Sequence, residues 1–235
     1  MNTYLIAGLK VNVKPFGKFK SRFDAYATEF TRTPDIQIDI SDKQYAMYME
    51  RFDDMDKDTA FYCISGFLFY RALLKYDGFM LHSSAVVKDG EVYLFSGQSG
   101  IGKSTHTNYW LELLGDRAFI LNDDKPAILV RQNGIFACGT PWSGKHDISK
   151  NLSLPVKALC FISRGEENSI IRLPENVAAI HMVHQCTKNF NSEQWEKILS
   201  MMDSFVKKVP VFKLKCIKDV SAAKLSLKTM SGEII

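Results

Sequence analysis

The stretch Gly97-Gln98-Ser99-Gly100-Ile101-Gly102-Lys103-Ser104 constrains this chain more than any other. It fits G-x-x-x-x-G-K-[ST] without a mismatch. Its glycines let the backbone wrap closely and turn its N–H groups toward anionic oxygens. Such a loop needs a strand before it and a helix after it, whose positive N-terminal end adds to the grip. Both flanks read that way. "EVYLFS" suits a strand, and "KSTHTNYWLELL" puts Tyr109, Trp110, Leu113 and Leu114 on one helical face. Gly115 then stands where a helix-ending glycine belongs. Gly97, Ser99, Gly100, Ile101, Gly102, Lys103, Ser104 and Thr105 are therefore the nucleotide-binding candidates. Lys103 would reach the outer phosphates and Ser104 would ligate Mg²⁺.

Composition narrows the setting. A chain of 235 residues with 46% hydrophobic content can bury a core without disulfides or a structural metal. The net charge of +4 suits an anionic ligand, and no dense Lys/Arg block calls for nucleic acid. Cys63, Cys138, Cys160, Cys186 and Cys216 are odd in number and never paired as C-x-x-C, which predicts reduced, mostly buried thiols in a cytoplasmic protein. The N-terminal "MNTYLIAGLKVNVKPF" has no basic run and no cleavage site. The apolar run Ala60–Tyr70 is too short to span a bilayer and predicts a buried helix.

The remaining pattern predicts an α/β fold: a mixed β-sheet core behind the glycine loop, with flanking helices. Residues 1–55 read as a β-rich segment packed on that core, and residues 56–235 as the main domain. "YLIAGLKVNV" and "DIQIDI" alternate as half-buried strands do. A helix follows over 60–75, with Asp58 or Thr59 as its cap and Asp77-Gly78 as its stop. "FMLHSSAVV" and "EVYLFS" form a hairpin across Asp89-Gly90, and "AILV" and "GIFAC" form another across 131–134. "VKALCFIS", "SIIRL" and "VPVFKLKC" are strands. Helices are expected over 175–186, 193–208 and 222–230, the second opened by an Asn191–Gln194 capping pair.

Two further sites carry chemistry. Asp123 and Asp124 follow the strand "AFIL", at the strand end where α/β sheets gather ligands. One carboxylate there could hold Mg²⁺ and the other accept a proton from an attacking hydroxyl. The loop "GTPWSGKHDISKN" offers Trp142 as a stacking face and Lys145 as a charge, which suits a flap over substrate. His82 lies at the entry to the hairpin that feeds the glycine loop. The alternating Lys213, Lys215 and Lys218 read as a solvated edge strand.

Taken together, "LHSSAVV", "GQSGIGKST", "NDDKPAIL" and "GTPWSGK" resemble the HPr kinase/phosphorylase-like proteins, which are related in fold to the ATP-type phosphoenolpyruvate carboxykinases. The resemblance covers about residues 60–175, in the same order, and is greatest to the shorter members, some of which accompany peptide-modification gene clusters. It implies that Lys103 and Ser104 bind phosphate and Mg²⁺. Asp123 would be the general base and Asp124 the metal-side carboxylate, with exchange of those two roles left open. His82 would lie near the metal and the transferred phosphate. The fuller members assemble as hexamers, and for this chain the resemblance leaves a homo-oligomer open. Two features differ: Ser163–Ile171 does not match the family's second signature, and Thr105 stands where those enzymes usually have Glu.

The expected function is a Mg-ATP-dependent kinase acting on a hydroxyl, most simply a serine of a peptide, a protein or a small molecule. The alternative is a nucleotide-binding module that recruits a peptide or protein partner without efficient transfer. A plain ATPase, turning over without acceptor, is a third reading. No nucleic-acid or membrane partner is expected.

Overall fold

The structure, a computed structural model, describes residues 3–30, 33–52, 54–186 and 189–233. Asp53 of the acidic stretch before the first long helix lies outside the described residues, as do Met1 and Asn2 of the N-terminal reading. A curled mixed sheet forms the centre. Its path runs β4 (Gly78–Met80), β8 (Ala127–Arg131), β9 (Gly134–Cys138), β10 (Ser153–Arg164), β6 (Glu91–Ser96), β5 (Ser83–Lys88), β7 (Ala118–Asn122). On β10 the sheet branches to β12 (Val211–Cys216), which carries β11 (Ser169–Arg172) at its outer side. The start of β10 is antiparallel to β9, and its remainder is parallel to both β6 and β12.

Local chemistry explains these elements. The β5–β6 hairpin closes on Asp89 and Gly90, both at positive φ (49° and 84°), as the turn that matches strand twist requires. Every residue of β5 is buried, so the strand is covered on both faces. One cover is α3 (Lys103–Leu114) with α6 (Val220–Ser231), packed through Trp110, Leu114, Ala223 and Leu227. The other is α4 (Glu175–His184) with α5 (Ser192–Lys208), packed through Met182, Ile198, Met202 and Phe205. Asn191 and Gln194 form the expected reciprocal cap on α5. β10 and β11 are not hydrogen-bonded to each other as a hairpin; β11 turns back onto β12.

The N-terminal region differs from its sequence reading. "YLIAGLKVNV" is two strands, β1 (Thr3–Ile6) and β2 (Leu9–Val13), because Ala7 and Gly8 take positive φ and fold the segment back. A 3₁₀ stretch covers Gly17–Tyr26, and β3 (Ile36–Ile38) pairs parallel to β2. The helix α1 (Asp42–Arg51) then occupies residues expected to be β-rich. α2 (Lys57–Leu73) starts earlier than expected, because Asp56 caps it by accepting from the Thr59 N–H at 2.7 Å. The small sheet, α1, α2 and β8 share one apolar cluster that includes Phe23, Tyr45, Phe61, Phe69, Leu129 and Trp142. Among the described residues no helix is long and apolar enough to cross a membrane.

Candidate active site

The loop 97–104 leaves the end of β6 and opens α3, as its sequence demands. Gly102 is the N-cap of α3 at φ 110°, a conformation that an L side chain rarely adopts. Lys103 is 8% exposed, and its Nζ donates to the carbonyls of Gly97 at 3.1 Å and Gln98 at 3.3 Å. Burial lowers its pKa, and the Asp124 carboxylate opposes that shift. A cation held dry against the head of a helix is poised to exchange carbonyl oxygens for those of a phosphate.

Two carboxylates face it from the end of β7. The Asn122 side chain sets their turn: its Oδ1 accepts from the backbone N–H groups of Asp124 at 3.0 Å and Lys125 at 2.8 Å, while its Nδ2 donates to the Thr140 carbonyl. Asp124 is also held from β5, since its carbonyl accepts from the Ser83 N–H at 3.0 Å. The Asp124 carboxylate is clasped at both oxygens, by His82 Nε2 at 3.0 Å and Lys125 Nζ at 2.8 Å. Burial works to raise its pKa, but the His82 hydrogen bond and the Lys125 charge outweigh it and hold the group down at about 2. Asp124 is thus an anion at all ordinary pH. The acidity of Lys125 is correspondingly suppressed by its anionic surroundings, which outweigh its burial.

Asp123 is arranged differently. It is 7% exposed, and burial raises its pKa, with the Asp124 charge adding to the rise. The Gly144 N–H donates to its Oδ1 and pulls the other way. A Cβ on residue 144 would stand 3.0 Å from Asp123 Oδ2, close enough that the carboxylate would have to shift by a few tenths of an ångström. Adjacent carboxylates with pKa values pushed apart are suited to different tasks, one to holding charge and one to exchanging a proton.

The loop after β9 is laced against β7 by Lys150 N–H to Leu121 carbonyl at 2.9 Å and Asp123 N–H to Ile148 carbonyl at 3.2 Å. From the N-terminal 3₁₀ stretch, Arg22 donates to the carbonyls of Ser143 at 2.8 Å and Gly144 at 3.1 Å and pairs with Asp147 at 3.0 Å. Tyr62 of α2 donates to the same Ser143 carbonyl at 2.6 Å. The amide that contacts Asp123 is therefore held by residues more than 80 positions away in sequence.

These groups line one cleft of about 380 Å³. Its walls are His82, Ser99, Gly100, Gly102, Lys103, Ser104, Thr105, Asp123, Asp124, Gly144, Lys145, His146 and Lys218. Gly97 stands behind it as a partner of Lys103, and Ile101 faces a second cavity on the far side of the loop. Trp142 corrects the sequence reading. It is fully buried, stacked on Phe69 at 4.6 Å between ring centroids, edge-on to Phe23 and Tyr70, and bonded through Nε1 to Ser65 at 3.1 Å. It anchors the loop in the core and offers no free face to a ligand. Sequence reading does not mark Lys125, Tyr62 or Arg22 as site residues and places Lys218 only in a solvated edge strand, whereas Lys218 lines the cleft; Lys125, inside "NDDKP", and Lys218, inside the basic stretch, each sit within a pattern that draws attention to them.

Among the described residues no group of three or more His, Cys, Asp or Glu forms a metal cage. A hydroxyl at Ser104 with one or two carboxylates opposite is instead the sparse donor set suited to Mg²⁺, which keeps waters and shares substrate phosphates.

The fold and site define an α/β protein with a glycine-rich loop facing a carboxylate pair across a polar cleft. Residues 51–220 match the sequence model of the SynChlorMet cassette protein ScmC family, and the chain belongs to that family. No curated protein matches it. Among solved structures it is similar to the Hpr(Ser) kinase/phosphatase from Coxiella burnetii, at 11% identity and a TM-score of 0.38, over 65% of this chain and 93% of that one.

Proposed function

We propose that this chain is a Mg-ATP-dependent kinase that transfers a phosphoryl group to a hydroxyl, a serine of a peptide, a protein or a small molecule. The observation that carries the reading is the single cleft that joins Lys103 and Ser104 of the loop to Asp123, Asp124 and His82. The loop amides and Lys103 would bind and orient the outer phosphates. Asp123, buried and raised in pKa, would take the proton of the acceptor hydroxyl as its oxygen bonds to the terminal phosphorus and the bond to the bridging oxygen breaks. Asp124 and Ser104 would hold Mg²⁺, with His82 and Lys125 fixing the Asp124 carboxylate. Bound there, Mg²⁺ neutralises charge on the phosphates.

Calorimetric titration of Mg-ATP, with transfer of labelled phosphate to serine-containing peptides and free serine, tests this. Wild type should bind and transfer. Lys103→Ala should lose binding. Asp123→Asn should keep binding and lose transfer by about 10²–10⁴-fold, the usual worth of a general base. Turnover that is unchanged in Asp123→Asn removes the assigned base, and wild type that binds no nucleotide overturns the reading.

A further inference from the structure

The N-terminal region carries a groove of its own. About 570 Å³ of open space lies where the parallel strands β2 and β3 end, against α1 and the start of α2. Its floor is Val13, Phe16, Ile38, Tyr45 and Phe61. Its rim carries Lys14, Asp39 and Lys57. None of these residues lines the carboxylate cleft.

The charges of the rim are unevenly met. Lys14 has no ion pair among the described residues. Lys57 Nζ stands over the rings of Tyr45 at 5.0 Å and Phe16 at 5.9 Å, again with no carboxylate partner among the described residues. The acidic residues beside it in sequence are taken. Asp56 caps α2 and pairs with Lys18 at 2.6 Å, and Asp58 accepts from the Lys18 N–H at 2.9 Å. Asp39 accepts from the Gln37 side chain at 3.0 Å. An occupant with apolar side chains for the floor and carboxylates for the two lysines therefore fits. An apolar floor with charge kept to its rim is the anatomy of a contact with another polypeptide, whereas small-molecule sites set converging polar groups inside.

The groove and the cleft rest on one apolar cluster. Ring centroids step from Phe16 to Phe61 at 5.2 Å, to Phe23 at 6.2 Å and to Trp142 at 5.6 Å. Trp142 precedes Ser143 and Gly144, and the Gly144 amide holds Asp123. Phe16 also leads into the 3₁₀ stretch whose Arg22 grips the carbonyls of Ser143 and Gly144. A chain docked in the groove is thus fixed to the same body as the proposed base.

We propose that the groove docks an extended acidic and apolar segment of the acceptor, apart from the hydroxyl that receives phosphate. The proposal rests on the kinase reading above and narrows its acceptor to a peptide or a protein. A segment held there raises the effective concentration of a tethered serine at the cleft.

Two labelled peptides of about twelve residues, one alternating Glu and Leu and one alternating Lys and Leu, test the groove by fluorescence anisotropy without nucleotide. The acidic probe should bind wild type at least about tenfold tighter than the basic one. Lys14→Glu combined with Lys57→Glu should weaken the acidic probe by about tenfold or more, and Lys103→Ala should leave it unchanged. Position 57 opens α2, where a carboxylate suits the helix dipole, so the double variant should keep the wild-type Tm. Phosphate transfer from Mg-ATP to a serine peptide, alone or joined to the acidic probe by about 20 Gly/Ser residues that reach about 25 Å, completes the test. Joining the probe should lower KM by about tenfold in wild type and not in the double variant. A wild type that binds neither probe, or both alike, overturns the groove as a docking site. So does a double variant that binds the acidic probe as wild type does. A wild-type dimer that the double variant breaks, or capture by phosphatidylserine vesicles that it abolishes, gives the groove to a second copy or a lipid surface and also overturns it. Transfer with no fall in KM on joining the probe overturns the acceptor role. Binding of the acidic probe with no transfer to either peptide overturns the kinase reading and the acceptor role, and leaves the groove standing as a peptide site.

Discussion

Lys103 is buried where its charge is disfavoured, and two loop carbonyls and the more distant Asp124 carboxylate offset that burial only in part. Lys103→Met should therefore abolish nucleotide binding yet raise the stability of the ligand-free protein by about 1 kcal/mol, or roughly 2–4 °C in Tm at this chain length, read by thermal denaturation. Asp123 invites a second measurement. Arg22 secures the Ser143 and Gly144 carbonyls, and the Gly144 amide stabilises the Asp123 anion. Arg22→Ala should loosen that amide, raise the Asp123 pKa further and move the acidic limb of kcat/KM to higher pH, without weakening nucleotide binding. An acidic limb that stays in place would leave Arg22 a purely structural residue. At this scale the loop residues and the two aspartates were legible, because each belongs to a contiguous motif. Arg22 and Tyr62 were not, because their role exists only when distant segments meet.

At the scale of elements, α3 carries the loop at its head and is moored at its middle. His106 Nε2 and Trp110 Nε1 both meet Ser226 Oγ of α6 at 2.9 Å. Burial lowers the His106 pKa from 6.5 to about 4, so the folded protein holds the ring neutral. The unfolded chain takes up its proton near 6.5 and the folded one only near 4. Stability from this group is therefore full above about 6.5 and is lost as pH falls through about 4, a change on the order of 3 kcal/mol. His106→Gln should flatten that part of the stability profile, measured by urea denaturation between pH 7 and pH 4. The helices α2, α3, α5 and α6 were readable from apolar spacing and caps. α1 is announced only by Ser41 and Gln44, whose S-x-x-Q spacing forms a capping box. Alternation in "DIQIDI" dominated that stretch, and only three of its residues pair as β3. The Ala7-Gly8 turn was hidden inside a sequence that alternates through it.

At the scale of the molecule, Trp142 joins the N-terminal region to the loop of the site. Its contacts are Phe23 from the 3₁₀ stretch and Phe69, Tyr70 and Ser65 from α2. Trp142→Ala should cost about 3–5 kcal/mol, measured by chemical denaturation, and the loop bearing Gly144 should loosen with it. A fall under 1 kcal/mol would show that the cluster does not hold the loop. The sequence pattern marked Trp142 as unusual but not which way it turns; its burial depends on a surface built by residues 77 positions away. A final consequence lies in β10. Its opening residues belong to the β9 side of the sheet and its closing residues to β6 and β12, so the strands that carry the cleft, β7 at the far end of the path included, run through β10 in one continuous sheet. The sheet then has no seam along which two halves could swing apart. The amides of Leu159, Cys160 and Phe161 should exchange with deuterium only through whole-molecule unfolding, and access to the cleft must come from the segments at its rim rather than from hinged lobes.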